Sequence, residues 1–360
     1  MGNAICFYGL LAVITAICAE LSVRFKDPAI GGFFAFNAVL IPSVAAGLRY
    51  GIGTDYLAVY LPEFERFQYV AGYHSRMEFG YVLLNKLVIA LGGNFQVLLF
   101  SVALTTNLFI YLGLRQYREE ISVGLGMLVY MLLYYQVSYN AVRQLAAMAV
   151  LFYAIKYVQK REFWKFCFFT LLACGFHYSL FLLFPFYFLY GLYSKPKWWA
   201  MRWITYVILL AAATNYQSFY SVFKDSDMLA YYSGYLRQTK AFEWSIGIFA
   251  RTLPFLIPGI ILYKDFKGND RFRLLFSFLC IGSILRLMAY TTIYYTERVA
   301  MIFLLSQIVL VPWFYRRLRA RKQTWIGLIV LSCVVFLWIY DFFIMGSGET
   351  VPYVFYFNHN

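Results

Sequence analysis

Five arginines, Arg49, Arg143, Arg251, Arg286 and Arg298, stand at or just inside the ends of apolar runs. A guanidinium is always ionised, and on insertion scales it costs at least ~2.5–3.5 kcal/mol at the centre of a bilayer. One such residue reads as an anchor whose head snorkels to the surface. Five from five different runs, all turned to one side under the topology argued below, suggest a built cationic pocket. Arginine's rigid fork matches phosphate oxygens two at a time. The chemistry expected is therefore the binding of a phosphorylated, membrane-borne substrate.

The neighbours of these arginines would complete such a site. Arg49-Tyr50-Gly51-Ile52-Gly53-Thr54-Asp55-Tyr56 closes the second apolar run. Its glycines free the backbone to turn beside a bound group, and Asp55 and Tyr56 add a carboxylate and a ring; an interfacial turn with a local ion pair would use the same residues. Tyr139 and Arg143 share a helix face four residues apart, Gln144 adds a second polar group, and Ala146 and Ala147 permit close helix approach. Gly175-Phe176-His177-Tyr178-Ser179 sets a histidine at the turn between two short runs. There an imidazole could exchange protons near neutral pH, although a lone histidine is more often structural. Thr296-Glu297-Arg298 opens a later run, and Arg286, Tyr290 and Tyr294 follow a stripe of fourth residues. Glu297 could neutralise either arginine in a purely structural pair. Glu78 and Arg251 stand as singletons.

The elements that must position these groups are apolar. Of 360 residues, 62% are hydrophobic, 22% aromatic and only 13% charged. A soluble chain cannot cover that much apolar surface, so the fold class is an all-α polytopic membrane protein, one integral domain over residues 1–360. Apolar runs give about twelve helices, at 3–22, 30–48, 95–114, 121–137, 141–158, 163–176, 177–193, 201–213, 246–263, 272–292, 297–315 and 325–343. The stretch 79–91 is too short to cross and is expected as a re-entrant or interfacial helix. Six short loops carry 20 of the 31 Lys and Arg residues, against six in the much longer segments 49–78 and 214–245. By the positive-inside rule the short loops are cytoplasmic, and the two long segments and both termini are external. The net charge of +14 is then a topology signal, and nucleic acid is not needed to explain it. The six cysteines fall in apolar runs without metal-ligand spacing and read as small buried hydrophobes. The first run lacks a basic leader, and Glu20 interrupts any cleavage-site reading, so the run reads as a retained anchor.

At these residues the chain resembles the EpsG-type, Wzy-like polysaccharide polymerases. The matching pieces are Arg49 through Tyr56, Glu78-Phe79-Gly80-Tyr81, Arg143-Gln144 with Ala146, Phe176-His177-Tyr178-Ser179, Glu297-Arg298 and Val351-Pro352-Tyr353. Each is short, but they follow the family's order over nearly the whole chain, and RYGIGTDY with a later RQ and FHYS is specific as a set. Arg286 and the 214–245 segment find no counterpart.

The resemblance implies a multi-spanning enzyme of the bacterial plasma (inner) membrane, similar in architecture to the C-type lipid-dependent glycosyltransferases. Such an enzyme moves a glycan from undecaprenyl diphosphate onto a hydroxyl of another lipid-linked repeat unit at the outer face. Its partners would be the lipid-linked donor and acceptor, the bilayer and a chain-length regulator. A diphosphate leaving group needs delocalised positive charge. No carboxylate cluster suited to a metal and no cofactor motif stands out, so arginines would take the metal's place. In that frame His177 (as general base), Arg143, Arg298 and Arg49 are the catalytic group. Asp55, Tyr56, Glu78, Tyr139, Gln144, Arg251, Arg286, Tyr294 and Glu297 would contact substrate, with Asp55 and Glu78 next in line as bases. A lipid-linked oligosaccharide flippase would want polar groups along the full depth of a path and pseudo-symmetric halves. An intramembrane acyltransferase would want a cytoplasmic thioester route. Charges gathered on one side favour the polymerase.

Overall fold

The computed structural model describes residues 2–214, 246–289 and 295–358. Tyr290, Tyr294 and nearly all of the 214–245 segment lie outside the described residues. Within them the chain is helical, and no strand forms beyond one isolated bridge, Arg49 to Phe355.

The helices begin where the sequence supplies caps. Helix α1 (Gly2–Arg24) is followed by α2 (Pro28–Gly47), whose Asp27 accepts from the Ala29 and Ile30 amides while Pro28 occupies the first turn. After a π turn at Tyr56–Tyr60 comes α3 (Leu61–Tyr69), then α4 (Phe79–Ala90) and α5 (Phe95–Arg115), the last capped by Asn94. Next are α6 (Val123–Tyr130), with a π turn at Met131–Tyr135, α7 (Val142–Gln159) and α8 (Phe163–Phe176). The remaining helices are α9 (Phe186–Ser194), α10 (Trp199–Thr214), α11 (Ile246–Ile261), α12 (Asp270–Ala289), α13 (Tyr295–Leu304), α14 (Gln307–Ala320) and α15 (Thr324–Trp338).

Among the described residues, four helices are long and apolar enough to cross a membrane: Gly2–Arg24, Pro28–Gly47, Phe95–Arg115 and Thr324–Ile344. The run expected at 297–315 is a pair of helices bent by 44°, a fifth candidate if it counts as one span. Fewer helices reach spanning length than the twelve expected. Apolar helices such as α4, α8 and Gly247–Ile261 are too short to cover a core of about 30 Å at ~1.5 Å per residue. The short helix expected over 79–91 is α4.

Two compact units divide the chain, Met1–Phe184 with Leu331–Asn360, and Pro185–Val330. In the first unit α1 packs on α2 and α6, α2 on α5, α5 on α7, and α7 on α8. Small residues allow this closeness: Ala146, Ala147, Ala149 and Ala154 of α7 are all fully buried. Asn107 is satisfied inside the unit by Ser43 Oγ and the Tyr130 hydroxyl, each at 3.0 Å. Of the six cysteines expected to be buried, Cys18 is, Cys6 is exposed, and Cys167, Cys174, Cys280 and Cys333 are half-buried.

At one end of this unit both chain ends meet. The Tyr8 hydroxyl donates to Thr350 O at 2.7 Å, and Phe7 packs on Tyr353 at 4.2 Å between ring centres. At the other end Glu20 accepts from Ser122 Oγ and the Gly124 amide, and Ser22 meets Tyr111. Tyr8 and Glu20 are about 18 Å apart along α1 at ~1.5 Å per residue.

In the second unit α12 packs against α9, α10 and α13. Trp313 stacks on Phe266 and Phe272 at 5.0 and 4.7 Å. Basic residues of later helices close the end of α9, as Arg202 of α10 donates to Leu192 O and Lys195 O, and Arg273 of α12 to Ser194 O.

Candidate active site

Helices α4 and α8 meet at two glycines. A Cβ on Gly80 would lie 2.8 Å from the Gly175 carbonyl oxygen, and a Cβ on Gly175 would lie 3.0 Å from the Phe79 ring. The contact brings the start of α4 to the end of α8. Helix α8 stops at Phe176, and His177 follows in extended backbone before a 3₁₀ turn over Tyr178–Leu183. Glu78, extended in turn, precedes α4.

The result is a three-residue cluster. His177 Nδ1 lies 2.8 Å from Glu78 Oε1, and Arg143 Nη1 donates to Glu78 Oε2. The Glu78 side chain is 7% exposed, those of Arg143 and His177 21% each. Arg143 also bonds the Tyr60 hydroxyl and lies 5.8 Å from the centre of the Tyr81 ring, while its Nε–H is buried without an acceptor. Burial pushes the Glu78 carboxyl up, but the His177 hydrogen bond and the Arg143 charge outweigh it and hold its pKa below the ordinary carboxylate value. An ionised carboxylate only accepts, so His177 Nδ1 carries the proton. With Nδ1 committed to Glu78, the carboxylate fixes the orientation of the imidazole, the same orienting logic as in a Ser-His-Asp triad.

Arg49 is placed differently. It is 2% exposed, and its fork donates to Ala46 O at 2.6 Å and Tyr139 O at 3.3 Å, with the guanidinium 4.4 Å from the centre of the Tyr139 ring. Instead of facing a pocket it braces the end of α2 against the segment leading into α7. Tyr56 and Tyr139 are enclosed with it, Tyr56 accepting from Gln96 and Tyr139 donating to the Tyr135 hydroxyl. Gln144 is buried on α7. The Asp55 amide donates to Asn140 Oδ1, which also accepts from Thr54 Oγ1. Gly53, at φ +98°, runs so close that a Cβ there would lie 2.7 Å from Asn140 Oδ1. Asn140 Nδ2 donates to Gly348 O, the Tyr50 amide to Val354 O, the Gly53 amide to Glu349 O, and the Tyr356 amide to Leu48 O. The C-terminal tail is thus stitched along the Arg49–Tyr56 loop.

Arg251, Arg286, Glu297 and Arg298 belong to the second unit. There Arg286 and Glu297 form the ion pair weighed above, at 3.4 Å between α12 and α13. Arg251 lies on α11, and Arg298 is exposed on α13. Among the described residues no three His, Cys, Asp or Glu side chains gather as a metal site.

Sequence reasoning missed Tyr60, Tyr81 and Asn140, which hold Arg143 and the loop. It also left Glu78 a singleton, because its partners are 65 and 99 residues away. Gly80→Ala is expected to force α4 and α8 apart, at ~1–3 kcal/mol of overpacking strain. The melting temperature should fall and activity with it, while Gly32→Ala, with open space around it, should change neither. A Gly80→Ala protein that melts and works like wild type would mean this helix contact does not set the cluster.

No curated protein and no solved structure matches the chain. The EpsG family profile matches residues 33–355, a stretch that takes in the cluster, the loop and most of the tail, and the chain belongs to the EpsG family.

Proposed function

We propose that the protein is a polysaccharide polymerase of the bacterial plasma membrane that transfers a glycan from undecaprenyl diphosphate onto a hydroxyl of another lipid-linked repeat unit at the outer face. Family membership supports the polymerase role, and the apolar helices support a multi-pass membrane protein. The observation that carries the mechanism is Glu78 held between Arg143 and His177.

His177 Nε2 takes the proton of the acceptor hydroxyl as its oxygen bonds to the donor's anomeric carbon. The bond from that carbon to the diphosphate oxygen breaks, and the diphosphate leaves with its lipid. Glu78 keeps the imidazole oriented and stabilises it when it becomes charged. Arg143 balances Glu78 and turns its remaining donors to the charge developing on the diphosphate. Arg49 holds the loop beside the cluster. The phosphate-binding expectation for Arg298, a residue of the second unit, is tested separately: Arg298→Lys, retaining charge without the fork, should recover only part of any activity lost in Arg298→Ala.

The test is to add purified protein to a lipid-diphosphate repeat unit and look for a ladder of products; no ladder with intact, folded protein would remove the polymerase reading. Orientation is tested in a cysteine-free background with a membrane-impermeant thiol reagent. Arg76→Cys should label from outside whole cells and Arg319→Cys should not, and the reverse would turn the site to the cytoplasm.

A further inference from the structure

One buried carboxylate has no part in that mechanism. Glu63 lies in the first turn of α3 and is 6% exposed. Its Oε2 accepts from the Tyr73 hydroxyl at 2.8 Å and lies 3.7 Å from Arg66 Nη1, on a side chain 58% exposed. Its Oε1 is buried without a donor. An exposed arginine at that distance contributes little, and an ionised oxygen left undonated in a buried position is costly.

The place of Glu63 is informative. It stands three residues after Tyr60, on the same helix face, and Tyr60 bonds both Arg143 and Asn140 O. Tyr60 also packs on Tyr81, 6.0 Å between ring centres, the ring beside Arg143. Helix α3 packs on α4, and Glu63 lies about one turn from Tyr60, the residue that holds Arg143. Phe67 and Tyr73 meet edge to face at 5.2 Å close by.

We propose that Glu63 is the hydroxyl-binding carboxylate of a subsite for the acceptor glycan, an assignment that rests on the polymerase reading. An ionised carboxylate offers about four lone-pair directions and no donor. Adjacent sugar hydroxyls supply donors to it, and the rings of Phe67 and Tyr73 suit the apolar faces of a sugar. A diphosphate would be repelled by this charge, so the subsite takes the neutral glycan end and leaves the lipid diphosphate to the arginines. The half-buried Tyr73 hydroxyl now holds Oε2, and a sugar hydroxyl takes its place on binding. A purely structural Glu63, placed in the first turn to favour the α3 dipole, predicts no effect on the acceptor.

The test uses the full chain in nanodiscs with two probes from cells lacking this polymerase: the lipid-linked repeat unit as donor, and the same glycan released from its lipid diphosphate as acceptor. Glu63→Gln should raise the KM for the released glycan about tenfold to a hundredfold, with kcat within about threefold and the donor KM unchanged. Tyr73→Phe, which removes the competing hydroxyl, should lower that KM. A folded Glu63→Gln protein with an unchanged acceptor KM overturns the proposal. Should Glu63→Gln fail to fold, a Tyr73→Phe protein whose acceptor KM stays the same or rises overturns it instead. Wild-type protein that elongates nothing from the lipid-linked donor would overturn the polymerase reading itself, a result distinct from either of these.

Discussion

His177→Ala is expected to slow elongation by about 10²–10⁴-fold, the usual worth of a positioned general base. Binding of the lipid-linked donor should survive, because the arginines remain. His177→Gln sharpens the test. A glutamine amide can still donate to Glu78 Oε1, but it has no basic nitrogen to take the hydroxyl proton. Single-turnover measurements should therefore find the glutamine variant close to alanine in rate and close to wild type in donor binding. Near-normal turnover in His177→Gln would reduce His177 to a positioning residue and move the search for the base to Asp55 or Glu78.

Arg143→Ala should carry the largest stability effect. It strips the cation from a carboxylate whose side chain is 7% exposed, and removing one partner of a buried pair typically costs ~3–5 kcal/mol. The lower end is expected, since the Arg143 side chain keeps 21% exposure and His177 stays on Glu78. The depressed Glu78 pKa fixes how this changes with pH. The pair's contribution is complete above the unfolded carboxyl pKa of about 4.3 and disappears as pH falls through the lower folded value. The melting-temperature gap between wild type and Arg143→Ala should therefore narrow in acid. Replacing both partners with apolar residues, Glu78→Leu with Arg143→Met, should recover much of the stability and none of the activity. Equal melting of wild type and Arg143→Ala at neutral pH would show that the pair contributes nothing to stability.

Much of the helical order was legible because each signal was local. The run 163–176 is α8 to the residue, and 141–158 differs from α7 by one at each end. The small residues predicted to permit close approach, Ala146 and Ala147, are fully buried. Helix α3 was hidden inside a segment read as loop, although Pro62 and Glu63 at its start are ordinary helix-opening residues. His177, Arg143 and Glu78 could each be singled out, yet Glu78 stood as a singleton and its place joining the other two could not be read. Glu78 reaches them only through tertiary approach at Gly80 and Gly175, and no periodicity records a contact across 99 residues. For Arg49 a rule held but the outcome differed. A guanidinium near a span end needs partners, and backbone carbonyls with aromatic rings met that need, a solution invisible without the Tyr139 backbone beside it.

The tail that runs along the Arg49–Tyr56 loop also sets an order of events during synthesis. The loop's main-chain partners are Glu349, Val354 and Tyr356, made some three hundred residues after it. A ribosome adding about 5–20 residues per second leaves that loop waiting ~15–60 s for its partners. Over that interval the helices around it can assemble while this corner stays open, so the loop gains its main-chain partners only after the 349–356 segment has been made.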